Sequence, residues 1–199
     1  MKIISWNVNG LRSAYQKGLP DFIKEEKPDI FCVQETKMQD HQFVEISAIQ
    51  DYGEWHRSSA IKKGYSGVAN IYKAKTEKEL KGEGFAIKEE KFDSEGRFII
   101  SDLGKILLYN IYFPSGTSGE HRQSFKYEFL DNFLKHLSKL TAKDRERLVI
   151  CGDFNICNKE IDIHHPKEAE KKQLTGFLPE ERAWMDKFTA AGFLDCFRL

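Results

Sequence analysis

Six short apolar runs dominate this sequence, at residues 2–8, 29–34, 67–73, 97–102, 106–113 and 148–152, each rich in Ile, Val, Leu, Phe or Tyr. They are too short for helices, and several carry almost no polar interruption, the mark of strands covered on both faces. Amphipathic stretches lie between them. The clearest covers 120–140, where Phe125, Phe129, Phe133 and Leu137 recur every four residues and Leu130, Leu134 and Leu140 widen the stripe. Residues 19–27 read as a shorter helix that stops before Pro28. Residues 179–191 read as a helix opened by Pro179, Glu180 and Glu181 and closed by Gly192. Strands interleaved with helices make a layered α/β fold. The dense charge at 75–81 reads as a solvated connection, and the polar stretch 157–173, with His164, His165 and Pro166, as a long loop of the kind that often serves function.

Composition narrows the class of molecule. A chain of 199 residues, 40% apolar and 13% aromatic, is neither disordered nor fibrous, and its length favours one domain. No apolar run approaches the ~18 residues of a membrane span. The amino terminus, interrupted by Lys2, Ser5 and Asn7, is no secretory leader. Four cysteines without a CxxC or Cys/His spacing make neither a disulfide framework nor a zinc site, so a reducing, cytoplasmic or otherwise intracellular setting is expected; a monomer is expected as well. Basic and acidic side chains balance at 31 each, which excludes bulk electrostatic attraction to nucleic acid but not a local basic surface.

Chemistry is concentrated where the apolar runs stop. The first runs into Asn7-Val8-Asn9-Gly10, the second into Gln34-Glu35-Thr36-Lys37, the fifth into Tyr112-Phe113-Pro114 and the sixth into Gly152-Asp153-Phe154-Asn155. Loops at strand ends, held by a rigid sheet, are where α/β proteins place ligand sites. Taken singly, an Asp or Asn after a strand is a turn former or helix cap. Together, Glu35, Asp153, Asn7, Asn9 and Asn155 form an all-oxygen donor set, which suits Mg²⁺ or Mn²⁺ and not zinc. Mg²⁺ held by one or two carboxylates usually shares its shell with substrate phosphate, so phosphoester cleavage is expected.

The segments Trp6-Asn7-Val8-Asn9-Gly10-Leu11-Arg12, Gln34-Glu35-Thr36-Lys37, Gly64-Tyr65-Ser66-Gly67-Val68-Ala69, Glu95-Gly96-Arg97 and Gly152-Asp153-Phe154-Asn155-Ile156 resemble, in order, the successive motifs of the exonuclease III and apurinic/apyrimidinic (AP) endonuclease family. That family lies within the endonuclease/exonuclease/phosphatase superfamily, and Gly176-Phe177-Leu178-Pro179-Glu180-Glu181-Arg182 resembles its DNA-repair branch. The resemblance implies an α/β (α+β) fold, a four-layer sandwich with two packed sheets. It implies a Mg²⁺-dependent hydrolase of duplex DNA, acting at abasic sites and 3′ ends. Residue by residue, it makes Glu35 the metal-binding carboxylate, with Asn7, Asp153 and Asn155 in the metal and phosphate network. It further makes Asp153 the group that activates or orients water, Asn155 the donor to the scissile phosphate and Tyr112 the active-site tyrosine. Arg12, Lys37, Tyr65, Ser66 and Arg97 become candidates for holding the DNA backbone, contacts that position a duplex without reading it.

The family domain continues past the position matched by Leu199, with further strands, a Ser-Asp-His motif and an Arg-Ile-Asp-type motif that have no counterpart here. Asp40-His41 sits in an early helical stretch and is no replacement. The expectation is a single domain over 1–199, truncated at its carboxyl end and lacking the last strands. A missing acid/base group would cost ~10²–10⁴-fold in rate. Two other readings follow: a catalytically impaired DNA-binding domain, and a superfamily phosphatase acting on inositol or lipid phosphates.

Overall fold

The computed structural model describes residues 1–46 and 48–198. Two compact units emerge, Met1–Tyr112 with Leu140–Asp153, and Phe113–Lys139 with Phe154–Leu199. The truncation expectation turns on Leu199, which lies outside the described residues.

Among the described residues, the first unit holds every strand. In chain order it contains β1 (Ile3–Asn7), α1 (Leu11–Gln16), α2 (Leu19–Glu26), β2 (Ile30–Gln34), β3 (His56–Ser58), β4 (Val68–Tyr72), α3 (Ala74–Glu77), β5 (Gly82–Gly84), α4 (Glu90–Asp93), β6 (Phe98–Asp102) and β7 (Leu107–Tyr112). After the helix α5 (Glu120–Ser138) of the second unit, it resumes with α6 (Ala142–Glu146) and β8 (Leu148–Asp153). One sheet runs β1-β2-β4-β3 and the other β5-β6-β7-β8. Each contains one parallel pair, β1 with β2 and β7 with β8, and antiparallel pairs elsewhere. All six apolar runs are strands.

Why β2 is apolar throughout is visible in its two faces. Phe31 and Val33 pack on one side with Leu11, Leu19 and Ile23 of the first two helices. Ile30 and Cys32 point the other way, into a cluster with Tyr72, Leu103 and Leu108 between the sheets. Three buried amides interrupt this apolar layer. Gln34 Nε2 donates to Asn110 Oδ1 at 2.7 Å and to Ser5 Oγ at 2.9 Å. Asn110 Nδ2 in turn donates to Asn70 Oδ1 at 2.7 Å and to the carbonyls of Val33 and Ala69. Buried polar groups of this kind are tolerated because their partners are complete, and they fix one alignment of the sheets.

The second unit is helical, with α5, α7 (Pro166–Lys171) and α8 (Pro179–Ala190). The stripe expected on α5 is buried at Phe125, Phe129, Phe133 and Leu137. Phe113 sits at the centre of an aromatic cluster, edge-on to Phe129, Phe133 and Trp184 and stacked on Phe154 at 4.5 Å. Lys126 and Glu181, both wholly buried, form an ion pair at 2.5 Å.

Two local readings need correction. Residues 75–81 are not simply a solvated connection, since α3 covers 74–77 and Glu77 accepts a bond from His56. The stretch 157–173 is not one long loop. It contains a 3-10 turn at 160–162 and α7, started by Pro166 and supported by the Lys172–Glu168 ion pair.

Candidate active site

The two parallel strand pairs end in register. Asn7 lies opposite Gln34 at the end of β1 and β2, and Tyr112 lies opposite Asp153 at the end of β7 and β8. Both carboxyl-terminal ends therefore deliver polar side chains, and the structure joins them directly. Asn7 Nδ2 donates to Asp153 Oδ2 at 2.7 Å, across 146 residues of sequence. The Asn7 Oδ1 accepts from the Asn9 amide at 3.0 Å, which orients the side-chain amide.

Asp153 can reach this position because Gly152 precedes it. A Cβ at Gly152 would lie 1.9 Å from the Ile111 carbonyl oxygen, with φ at +134°. Only glycine lets β8 approach β7 there.

Glu35 is delivered by a tight turn after β2. It adopts φ 59°, and Asn9, Lys37 and Ser66 nearby in the fold share the left-handed region at 47°, 54° and 49°. Non-glycine residues in that region are uncommon and cluster at functional sites. Main-chain bonds join three loops here: Gly10 N to Glu35 O at 2.7 Å, Leu11 N to Thr36 O, Thr36 N to Gly67 O and Lys37 N to Ser66 O. The Glu35 side chain, 21% exposed, meets Lys37 Nζ at 3.0 Å. Lys37 Nζ also donates to Asn9 Oδ1 at 2.5 Å.

Several influences act on Tyr112. Burial pushes its phenol up to about 12, the Glu35 charge adds to this, the Arg97 guanidinium opposes it, and Asp153 and Tyr65 add again.

Donor chemistry fits a hard divalent cation. The site offers two carboxylates and a side-chain amide oxygen, and among the described residues no three His, Cys, Asp or Glu side chains form a metal-holding group. Mg²⁺ commonly uses one or two carboxylates and completes its shell with water and phosphate.

The remaining expected residues fall in different places. Arg12 is exposed and pairs with Glu45 at 3.3 Å. Tyr65 is half-buried, with Lys62 Nζ 5.1 Å from its ring centre. Arg97 and Ser66 are buried at 1% and 2% exposure. Arg97 spends its guanidinium on Glu95, Tyr65 and the Tyr112 carbonyl. The Ser66 hydroxyl is buried without a hydrogen-bond partner. Asn155 belongs to the helical unit, at φ 52°, where its Nδ2 donates to the Phe113 carbonyl at 2.9 Å and its own carbonyl accepts from Lys126 Nζ at 2.7 Å. His164 and His165 are exposed, with ring centres 4.2 Å apart. Sequence reasoning missed the supporting roles of Gln34, Asn110, Lys126 and Glu181; for Asn110 the one signal is a polar side chain placed inside an apolar run.

The chain is similar to known proteins along its whole length. The sequence pattern of the Endonuclease/Exonuclease/phosphatase family matches residues 4–195. An exodeoxyribonuclease of Bacillus subtilis (strain 168) is 36% identical over 199 residues, covering all of this chain and 75% of the relative. The DNA repair nuclease APEX1 of Danio rerio is 37% identical over 200 residues, with the chain spanning 62% of its length. Among solved structures, an AP endonuclease from Archaeoglobus fulgidus superimposes with a TM-score of 0.81 at 28% identity, over 100% of this chain and 73% of that one.

Proposed function

The chain belongs to the endonuclease/exonuclease/phosphatase family, and from that membership we propose that it is a Mg²⁺-dependent phosphodiesterase of DNA repair. It nicks duplex DNA on the 5′ side of abasic sites and trims 3′ ends, with Mn²⁺ as a substitute ion. The observation that supports this most is the hydrogen bond from Asn7 Nδ2 to Asp153 Oδ2 at 2.7 Å, which ties the polar end of β1 to that of β8.

Glu35, Asp153 and the Asn7 amide oxygen would hold the cation, which when bound neutralises charge developing on phosphate and leaving oxygen. The other roles fall to the side chains themselves. The Asp153 carboxylate accepts a proton of the attacking water and orients it, while Asn7 Nδ2 keeps that carboxylate from rotating. Tyr112 stays protonated at neutral pH, so its hydroxyl donates a hydrogen bond to a phosphate oxygen. Lys37 and Arg12 provide positive charge for the backbone, and such contacts weaken as salt rises.

The test is cleavage of a duplex with one abasic site, with Mg²⁺ and then with excess EDTA, against inositol phosphates as competitors. Metal-dependent incision 5′ to the lesion, indifferent to the competitors, is expected. Abasic-duplex binding that survives EDTA with no incision by pure protein would instead make the chain a binding domain. Turnover of inositol phosphate in preference to DNA would make it a phosphatase.

A further inference from the structure

We propose that Arg97 is a positioning residue, a buried cation that locks Tyr112 and Tyr65 into one assembly so that the loop carrying Tyr65 and the active-site phenol hold a common geometry. The proposal rests on the assignment of Tyr112 to the site.

Arg97 is 1% exposed, so its charge has been taken almost wholly out of water and must be met inside. Among the described residues its carboxylate partner is Glu95, whose Oε2 accepts from Nε at 2.7 Å and lies 2.7 Å from Nη2. The rest of the guanidinium addresses two tyrosines. Nη1 donates to the Tyr112 carbonyl at 2.7 Å, and Nη2 donates to the Tyr65 hydroxyl at 3.2 Å. The guanidinium carbon also lies 4.9 Å from the Tyr112 ring centre and 5.9 Å from that of Tyr65. Tyr112 is therefore gripped twice, by main chain and by ring face. Its amide closes the circuit by donating to the Arg97 carbonyl at 3.0 Å.

The segment that carries Arg97 is itself pinned to the loop that carries Tyr65. At Gly96, with φ +58°, an added Cβ would fall 2.5 Å from the Ser59 carbonyl carbon and 2.6 Å from the Ser58 oxygen. The Ile61 amide donates to the Ser94 carbonyl at 2.9 Å. Beyond this anchor, Ile61, Lys62, Lys63 and Gly64 are exposed, and Tyr65 returns the chain to Arg97. A surface loop with two lysines is thus tied through one planar cation to the residue opposite Asp153 in the β7–β8 register. Lysine cannot replace that cation, because a point charge lacks both the fork and the flat face that stacks on a ring.

The experiment uses the full chain with Arg97→Lys and Glu95→Gln, labelled with ring-¹³C tyrosine. We read single-turnover cleavage at saturating abasic duplex, duplex affinity with its salt slope, and the Tyr112 and Tyr65 ring signals, the signals being recorded without DNA or metal. Arg97→Lys should slow cleavage by about 10²-fold, the cost of a ~1 Å misplacement. It should leave affinity and salt slope unchanged and move both tyrosine signals together. Glu95→Gln, a milder change that keeps the oxygen and removes its charge, should move the same signals in the same sense and covers the case in which Arg97→Lys fails to fold. Weaker binding with a shallower salt slope and an unchanged saturated rate would make Arg97 a DNA contact and overturn the proposal. Folded variants with unaltered tyrosine signals would overturn it too. A wild type that never cleaves DNA would sink the nuclease reading alone, since the paired signals would still decide whether Arg97 holds the two tyrosines together.

Discussion

Replacing Lys126 by Met should damage the helical unit more than any surface change could. Lys126 and Glu181 are both fully buried, 2.5 Å apart, and the lysine also holds the Asn155 carbonyl at 2.7 Å. Removing one member of a buried pair strands the other charge, at a typical cost of ~3–5 kcal/mol. The stranded Glu181 keeps Gln123 Nε2 and Thr175 Oγ1 on Oε1 and the Leu178 amide on Oε2, which places the expected loss towards the lower end, about 3 kcal/mol. For a chain of this length each kcal/mol is worth ~2–4 °C, so the midpoint should fall by about 6–12 °C. Adding Glu181→Gln removes the stranded charge and keeps an acceptor for Leu178, so the double variant should regain much of the loss. Urea unfolding of wild type, both single variants and the double variant measures the cycle. A double variant as unstable as the two single losses added together would refute the reasoning, because the cost would then not come from an uncompensated charge.

Asp153→Asn should keep the fold and the bond to Asn7 while lowering abasic-site incision by ~10²–10⁴-fold, read as initial rates with clean protein. Gly152→Ala should be among the most damaging single changes in the first unit, above ~4 kcal/mol, because the new methyl meets the Ile111 carbonyl at 1.9 Å; loss of soluble protein or of a cooperative transition is the readout. His56 bonds two carboxylates, Glu83 through Nδ1 at 2.7 Å and Glu77 through Nε2 at 2.9 Å, and the Glu83 bond leads in raising its pKa above 6.5, against the opposing effect of burial. Its stabilisation is therefore complete below pH ~6.5 and fades as pH rises through the raised value. Wild type minus His56→Gln stability, followed by urea unfolding across that range, should shrink with increasing pH; a difference that grows would reverse the assignment.

Much of the fold is legible in the sequence because its central strands must be apolar on both faces. Ile30 to Val33 has no alternative to burial, and the α5 stripe has no alternative to a helix packed along one side. The strands β3 and β5 are not legible. Each is three residues long, at the edge of its sheet, and made of His-Arg-Ser or Gly-Glu-Gly, whose strand character comes only from the neighbour they pair with. At the site, Glu35, Asp153 and Asn7 are recognisable because strand ends are the usual seat of chemistry. The burial of Arg97 is not legible, because arginine is seldom buried and its partners Glu95, Tyr65 and Tyr112 become visible only in the fold. Asn110 is hidden for another reason. Its partners Gln34 and Asn70 lie 76 and 40 residues away, and nothing local marks an asparagine as part of a network.

The chain of amides from Ser5 through Gln34 and Asn110 to Asn70 carries a consequence for motion. Two of its links, Gln34 to Asn110 and Asn110 to Asn70, cross from one sheet to the other, so sliding the sheets past each other by a single residue would break both. Shear between the sheets is thereby forbidden as a low-energy displacement. Whatever rearrangement accompanies a turnover cycle in this unit must be carried by the turns around residues 8–11, 35–37 and 65–67, with the strands beneath them serving as a fixed bench.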